Sequence, residues 1–347
     1  MGKVKNIVSL LQGEKRETYI IAEVGVNHNG SMDLAKKSID LAVEIGADAV
    51  KFQTFKTEKL VSKFAPKADY QTANTQSKES QMEMLKRLEL SFNDFRELKV
   101  YCEDKGIDFL STPFDEESAH FLNEIGVSAF KIGSGDLNNT PFISFLDTFK
   151  KPILLSTGMS ELKEVEETLA VMRQSPVILL HCTSNYPAPL EDVNLNAMTT
   201  MKSKFNKLVG YSDHTSGVEV SVAAVAMGAK IIEKHFTLDK NLPGPDHKAS
   251  LNPEEFSELI FSVRSIERAL GDGVKRCMPS EKNTKIVARK SIVANANLNK
   301  GQKITEDMII IKRPGTGIEP KYYNKIMGRK LAKDIKMDET ITWDDLI

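Results

Sequence analysis

The chain has 347 residues, of which 41% are hydrophobic and 27% charged, and its formal net charge is −1. This length allows a large barrel with a small additional module, and the balanced charge argues against a partner that is nucleic acid or a membrane surface. No apolar run approaches the roughly 18 residues of a membrane span, and the start of the chain predicts no signal peptide. The 3 cysteines are widely spaced and predict no disulfide framework, so a cytoplasmic location is expected.

The pattern from Tyr19 onward predicts strands that alternate with helices. Tyr19–Gly25 is a nearly continuous apolar run with one glutamate, which is typical of a strand covered on both faces. Ser31 is a predicted helix cap, and Gly46 ends that helix. A last helix of the series begins after the cap Asn252 and stops at Gly271. Further strands are predicted at 48–54, 108–113, 129–134, 153–157, 177–182, 207–212 and 230–236, with the longest helical connection at 79–106.

Eight strand–helix units in about 250 residues have the size of a (β/α)₈ TIM barrel. An open doubly wound sheet is the alternative, although no Gly-x-Gly-x-x-Gly loop follows the first strand. We therefore predict a barrel catalytic domain at 1–273, a charged and polar linker at 274–285, and a second unit of short strands and turns at 286–347. Trp343 is expected to pack the last turn of that second unit.

Polar side chains end most of the predicted strands, where TIM barrels carry their active sites. They are Glu23, Lys51, Gln53, Ser111, Thr112, Lys131, Ser134, Ser156, Thr157, His181, Ser212, His214 and His235. Lys51, Lys131 and the serines, together with backbone N–H groups, would form an anion pocket suited to phosphate. Taken alone, each lysine could instead be a rim residue that extends its ammonium group into water.

The stretch 209–247 has the order strand, turn, helix, strand, loop, and a histidine ends each of its strands. If the strands are parallel neighbours, His214, His235 and the following Asp246 converge on one mouth, which is a metal-site geometry. Alternatively, His214 could cap a helix or bond within its loop, and His235 could be a satisfied core histidine.

Ten short motifs follow one another from Tyr19 onward in a specific order and spacing. They are Ile21-Ala-Glu-Val-Gly-Val-Asn-His-Asn-Gly, Val50-Lys-Phe-Gln-Thr, Leu110-Ser-Thr-Pro-Phe-Asp, Phe130-Lys-Ile-Gly-Ser-Gly, Leu155-Ser-Thr-Gly-Met, His181-Cys-Thr, Tyr186-Pro, Gly210-Tyr-Ser-Asp-His, Glu233-Lys-His-Phe-Thr and Gly244-Pro-Asp-His. Together they resemble the sialic acid synthase family. The tail, with Lys312-Arg-Pro-Gly-Thr-Gly, resembles that family's C-terminal SAF module, which is similar to type III antifreeze proteins.

The resemblance implies an N-acetylneuraminate synthase. Such a carbon–carbon bond-forming transferase converts phosphoenolpyruvate, N-acetylmannosamine and water into N-acetylneuraminate and phosphate in sialic acid biosynthesis. It also implies a divalent metal, manganese in the first place, with magnesium or cobalt as alternatives. A domain-swapped homodimer is implied as well, in which Arg313 acts in trans. N,N′-diacetyllegionaminate synthases, which use a 6-deoxy diacetamido sugar, share the motifs and are the alternative.

The resemblance also assigns roles by position. His214 and His235 fall on metal-ligand positions, and Glu23 falls on the position of a catalytic carboxylate, with Asp246 as a second catalytic candidate. The phosphoenolpyruvate-binding positions are Lys51, Thr112, Lys131, Ser134, Ser156, Ser184 and Ser212. The amino-sugar positions are Gln53, Asp136, Tyr186, Asp246 and Arg313. Ser184, Asp136 and Arg289 differ from the residues of some members, which leaves the exact sugar open.

Three other functions agree with parts of the pattern. A Schiff-base aldolase is one, because Lys131 ends a strand. A metal hydrolase is another, although such barrels usually need more ligands. The third is a non-catalytic carbohydrate-binding scaffold.

For a synthase, a metal held by two imidazoles keeps open positions and can polarise an aldehyde oxygen. Imidazole ligation suits manganese, cobalt or zinc.

Overall fold

The computed structural model describes residues 7–13, 17–75 and 79–347. The chain divides into two compact units, of which the first ends at Gly271 and the second is Asp272–Ile347. Each unit has a hydrophobic core of its own. None of the described helices is long and apolar enough to cross a membrane.

Eight parallel strands close into a barrel in the first unit, which confirms the predicted TIM-barrel fold and excludes an open sheet. The strands β1 to β8 are Tyr19–Gly25, Ala49–Thr54, Asp108–Pro113, Phe130–Ile132, Ile153–Ser156, Val177–His181, Leu208–Asp213 and Ile231–His235. They pair in sequence order, and β8 closes on β1. The register pairs Glu23 with Lys51 of β2 and with His235 of β8, so three predicted site residues lie side by side.

Twelve α-helices belong to the described part of the first unit; α1 precedes the first strand, α12 follows the last, and the others lie in the connections between strands. They are α1 Ile7–Leu11, α2 Met32–Glu44, α3 Thr57–Leu60, α4 Asp69–Thr75, α5 Gln81–Leu88, α6 Phe92–Lys105, α7 Glu116–Glu124, α8 Thr140–Asp147, α9 Leu162–Val171, α10 Asn196–Phe205, α11 Glu219–Ala226 and α12 Pro253–Leu270. The predicted connection 79–106 therefore contains two helices. Ser80 and Ser91 begin them with capping boxes, so the chain can stop and restart a helix within a few residues.

The inner face of the barrel is apolar at the start of the strands and polar at their ends. Tyr19, Ile21 and Ile231 belong to the core that fills the barrel interior. Because successive side chains of a strand alternate between its two faces, Glu23 and His235 follow them on the inner face. The mouth of the barrel is therefore a polar site above a packed apolar layer.

Two strand ends differ from the prediction. The strand β4 stops at Ile132, and a 3₁₀ turn at Ser134–Asp136 follows it. The strand β7 continues to Asp213, so that His214 follows this strand and does not end it. The Asp213 carboxylate accepts the N–H of Thr215 at 2.8 Å, and this local bond turns the chain directly after the strand.

The second unit combines short helices with a two-stranded sheet. Its elements are α13 Lys282–Ala288, β9 Ser291–Ala294, β10 Ile309–Lys312 and α14 Tyr323–Ile326, and β9 and β10 are antiparallel. Part of the predicted linker is thus helical. Trp343 is 40% exposed, and its ring contacts that of Tyr322 edge-on at 5.3 Å between centroids.

Candidate active site

A cavity of about 370 Å³ opens at the C-terminal ends of the barrel strands. The predicted site residues that line it are Glu23, Lys51, Gln53, Thr112, Lys131, Ser134, Ser156, Ser184, Tyr186, Ser212, His214, His235 and Asp246. Asp136 is not among the residues that line it, and its carboxylate accepts a hydrogen bond from Asn139. Arg313 follows β10 in the second unit and is exposed.

Four buried charged side chains, Glu23, Lys51, Lys131 and Glu233, form what we call the charged floor of the cavity. The Nζ atom of Lys51 lies 2.7 Å from Glu23 Oε2 and 3.9 Å from Glu233 Oε2. The Nζ atom of Lys131 lies 3.3 Å from Glu233 Oε1, which also accepts a hydrogen bond from Ser212 Oγ at 2.9 Å. The two lysines are therefore held in place by carboxylates before any ligand binds.

Glu233 is the member of the charged floor to which the sequence analysis assigned no role. It lies two residues before His235 on β8, and side chains two apart share a strand face. Once His235 is placed inside the barrel, the same alternation places Glu233 there. A glutamate within a predicted barrel strand, two residues before a predicted ligand, is the signal that could have identified it.

The two carboxyl groups of the charged floor have opposite pKa shifts. Burial raises the pKa of Glu23 to about 7, and it outweighs the lowering effect of Lys51. Burial would also raise the pKa of Glu233, but Lys131 and Lys51 outweigh it and hold that pKa at about 2. At neutral pH the charged floor therefore contains a fixed carboxylate and a second carboxyl group that can exchange a proton.

Two imidazoles face each other on the β7 and β8 side of the cavity. The ring centroids of His214 and His235 are 5.6 Å apart, and the Tyr186 ring packs on them at 4.2 and 5.5 Å. The Nδ1–H group of His214 donates to the carbonyl oxygen of Thr183 at 2.7 Å, which leaves its Nε2 lone pair free to bind a ligand. Burial lowers the pKa of His214 to about 4 and the pKa of His235 well below its ordinary value. Both rings are therefore neutral at pH 7.

This imidazole pair fits a divalent metal ion. Metal-bound histidines are neutral and are commonly oriented by a hydrogen bond to the other ring nitrogen, as His214 is. In His235 the buried Nδ1 atom has no hydrogen-bond partner, and such a buried polar atom is costly unless a ligand satisfies it. Among residues 7–13, 17–75 and 79–347, no cluster of three or more His, Cys, Asp or Glu side chains could hold a metal. His214, His235 and Asp246 all line this cavity, as expected for one mouth, although they form no three-ligand set among these residues.

Asp246 lies on the loop after β8, and its buried side chain lines the cavity. Burial raises the pKa of its carboxyl group to about 6. The neighbouring His247 anchors the loop, because its ring nitrogens bond to Thr237 Oγ1 at 2.7 Å and to Asn29 Oδ1 at 3.2 Å. Asn74 of α4 donates to the carbonyl oxygen of Pro245 at 2.7 Å, so the position of Asp246 is held from two sides.

Hydroxyl groups line the cavity wall formed by β4 to β6. The Gly158 N–H donates to Ser134 Oγ at 3.0 Å, and a Cβ atom at Gly158 would lie 2.3 Å from Ser184 Oγ. Only glycine fits there, because a side chain would collide with the serines. The buried Ser156 Oγ has no hydrogen-bond partner among the described residues, so it is free to bond to a ligand oxygen.

A closed barrel with this polar mouth defines a TIM-barrel enzyme fold with its site at the C-terminal face. Residues 38–275 match the model of the NeuB family, and residues 289–347 match that of the SAF domain. The chain therefore belongs to the NeuB family.

The relatives are sugar acid synthases. N,N′-diacetyllegionaminic acid synthase of Campylobacter jejuni is 47% identical over 331 residues, which cover 94% of this chain and 99% of that protein. Human N-acetylneuraminate-9-phosphate synthase is 38% identical, and the match covers 95% of this chain and 92% of that protein. A crystal structure of N-acetylneuraminic acid synthetase from Leptospira borgpetersenii matches with a TM-score of 0.70 and 36% identity, over 78% of this chain and 90% of that one. These similarities support an enzyme of the NeuB type.

Proposed function

We propose that the protein condenses phosphoenolpyruvate with an N-acetylated amino sugar and water, giving a nonulosonic acid and phosphate. The charged floor carries this proposal, because it holds two ammonium groups in the same cavity as two neutral imidazoles. N-acetylmannosamine is one candidate acceptor. A 6-deoxy diacetamido sugar is the second, and the 47% identity to a diacetyllegionaminic acid synthase favours it.

Phosphoenolpyruvate carries two anionic groups, and the charged floor offers two cations. The ammonium groups of Lys51 and Lys131 are each shared with a carboxylate, so they are positioned in advance and can turn toward a phosphate or a carboxylate. Ser156 adds an unpartnered hydroxyl, and Thr112 accepts a hydrogen bond from Lys51 Nζ at 3.2 Å. These contacts bind and orient the substrate.

The proposed reaction forms one carbon–carbon bond and breaks one carbon–oxygen bond. The methylene carbon of phosphoenolpyruvate bonds to the aldehyde carbon, water adds to the neighbouring carbon, and the bond from that carbon to the phosphate oxygen breaks. One proton of the water balances the proton gained by the aldehyde oxygen. The other leaves the new hydroxyl group as the ketone forms and is taken up by the departing phosphate. Glu23, with a pKa of about 7, is suited to take the proton from water, and Gln53 Nε2 orients it through a 3.2 Å hydrogen bond to Oε1.

His214 and His235 would hold the divalent metal, manganese in the first place. When bound, it would supply Lewis-acid polarisation of the aldehyde oxygen. Tyr186 packs on both rings and fixes their orientation. Asp246 and Gln53 are the proposed contacts to the hydroxyl groups of the sugar. We further propose a cytoplasmic homodimer in which Arg313 of one chain reaches the sugar in the partner.

The competing functions fit the contacts less well. A Schiff-base lysine must lose its proton, whereas Lys131 is ion-paired with Glu233. Borohydride trapping of a substrate adduct on Lys131 would support that aldolase. A metal hydrolase usually needs more ligands than the imidazole pair, and no larger set occurs within the described part of the chain.

Phosphate release tests the proposal. We expect phosphate to appear from phosphoenolpyruvate only when Mn²⁺ and an N-acetylated amino sugar are both present, in a one-to-one ratio with the sugar acid product. Enzyme with phosphoenolpyruvate and metal but no sugar is the control. Equal phosphate release with and without the sugar would contradict the proposal.

A further inference from the structure

A pair of opposite charges is buried outside the cavity, on the outer face of β7 and β8. The Nζ atom of Lys234 lies 2.9 Å from Asp213 Oδ2, and both side chains are fully buried. The strand register pairs these two residues directly. Their neighbours Ser212 and Glu233 line the cavity, so the alternation of side chains turns the ion pair toward the helices, where Ser221 of α11 donates to Asp213 Oδ2 at 2.6 Å. The pair can therefore act on the site only through its neighbours.

Stability alone does not explain this ion pair. Removing two charges from water costs free energy that offsets their attraction, and well-packed apolar side chains in their place are often equally stabilising or more so. Two positions away along the chain, Tyr211 and Phe236 belong to the apolar core that the helices share with the strands, so apolar side chains suit this layer. What a buried ion pair adds is one particular arrangement of the elements that it joins. The elements joined here are the ends of β7 and β8.

The ion pair holds the backbone on both sides of His214. Asp213 precedes this histidine, and its Oδ1 atom accepts the N–H group and the hydroxyl group of Thr215 at 2.8 and 2.7 Å. Lys234 donates to the carbonyl oxygen of Thr215 at 2.6 Å. His214 thus lies between two anchored neighbours, and its own carbonyl oxygen accepts the N–H group of Ala188 at 2.9 Å. The position of the His214 ring therefore depends on the ion pair.

The same ion pair is the last cross-strand link before His235. The register of β7 and β8 ends at Asp213 and Lys234, and His235 is the next residue of β8. The buried Nδ1 atom of His235 has no hydrogen-bond partner among the described residues, so that nitrogen does not hold the ring in place. The separation of the two imidazoles, 5.6 Å between centroids, is therefore set by the way the strand ends are joined and by the packing of Tyr186.

We propose that Asp213 and Lys234 are positioning residues, which hold His214 and His235 at one separation so that the imidazole pair is ready for a divalent metal before the metal binds. This step rests on the proposed function, because it takes the two imidazoles to be the metal ligands. A site whose ligands are already ordered loses less conformational freedom on binding, and it therefore binds more tightly. Loss of the ion pair should weaken metal binding although both ligands remain.

Direct titration of the metal-free protein with Mn²⁺ tests this role. Lys234→Met removes the ammonium group and keeps an unbranched apolar chain, and the double variant Asp213→Asn with Lys234→Met leaves no unpaired charge buried. We expect both variants to bind Mn²⁺ about tenfold more weakly than the wild type, as is typical when residues that orient metal ligands are lost. In metal-free protein labelled with ¹⁵N-histidine, the NMR signals of His214, identified by their absence in His214→Gln, should broaden because the ring is held less firmly.

Arg264→Met is the matched control. Arg264 forms an ion pair with Asp48 at 3.1 Å, directly before β2 and at the opposite end of the barrel from the cavity. This variant should be destabilised but should keep wild-type Mn²⁺ affinity, and thermal unfolding checks that each variant folds. Wild-type Mn²⁺ affinity or unchanged His214 signals in the folded pair variants, or an equal loss of affinity in Arg264→Met, would overturn the positioning role. A wild type that bound no Mn²⁺ would instead overturn the proposed metal site, and the inference with it.

Discussion

Glu23 lies between two groups that control its charge. Lys51 contacts one of its oxygens at 2.7 Å, Gln53 donates to the other at 3.2 Å, and burial raises its pKa to about 7. We predict that Glu23→Gln keeps the shape of the site but loses the proton acceptor. Phosphoenolpyruvate should still bind in calorimetry, while kcat falls by about 10²- to 10⁴-fold. Wild-type turnover in this variant would remove Glu23 from the mechanism.

The imidazole pair makes a prediction that does not depend on catalysis. His235→Ala removes one of two neutral ring nitrogens, so the affinity for Mn²⁺ measured by direct titration should fall by at least about tenfold. His120→Ala is the control, since His120 lies on α7 and packs on Phe145 and Phe149. Unchanged Mn²⁺ binding in His235→Ala would show that the metal, if one binds, lies elsewhere.

At the residue scale, the sequence predicted which residues lie in the cavity better than it predicted which of them contact one another. The residues at the strand ends could be predicted, because side chains along a strand alternate with a period of two. Lys51, Lys131 and His235 were found in this way, and all three line one cavity. The contacts among these side chains could not be predicted from the sequence, because they depend on how the strands are arranged around the barrel. Glu233 bridges Lys51 and Lys131 for that reason, and its role appears only in three dimensions.

At the scale of elements, Asp147 connects α8 to the turn before β6. Its buried carboxylate accepts the N–H groups of Arg173 at 2.8 Å, Gln174 at 3.0 Å and Ser175 at 2.8 Å. Burial would raise the pKa of this carboxyl group, but the N–H donors outweigh it and the pKa is lowered. We predict that Asp147→Asn costs about 1–3 kcal/mol of unfolding free energy at pH 7.

The lowered pKa of Asp147 fixes the sign of the pH dependence. A group whose pKa is lower in the folded state stabilises the fold above its unfolded value of about 3.9, and this contribution is lost as the pH falls through the folded value. Urea unfolding from pH 7 to pH 3 should therefore show the difference between wild type and Asp147→Asn shrinking in the acid range. Glu167→Gln, at an exposed position of α9, is the control and should be nearly neutral. A difference that stayed constant with pH would contradict this role of Asp147.

Most strands and helices could be predicted from local sequence patterns, and the exceptions have physical causes. Tyr19–Gly25 is a strand as predicted, because an apolar run with clear ends leaves few alternatives. The predicted single connection at 79–106 is two helices, since two serine capping boxes restart the helix.

At the scale of the whole molecule, the homodimer remains a prediction with a sharp test. If Arg313 acts in trans, mixing inactive Arg313→Ala and Glu23→Gln chains should restore about a quarter of the wild-type rate. Half of the dimers would then be hybrids, and each hybrid would have one intact site of two. Mixing Arg313→Ala with a chain that carries both substitutions is the control and should restore nothing. No recovery after verified subunit exchange would argue against action in trans.

Phosphoenolpyruvate labelled with ¹⁸O in the oxygen that bridges carbon and phosphorus tests the central claim most directly. Turnover with Mn²⁺ and the preferred amino sugar, followed by mass spectrometry of both products, shows which bond breaks. The proposed reaction breaks the carbon–oxygen bond, so the label should appear in the released phosphate, and solvent oxygen should enter the sugar acid. Label retained in the sugar acid, or phosphate released without the amino sugar, would contradict the proposed condensation.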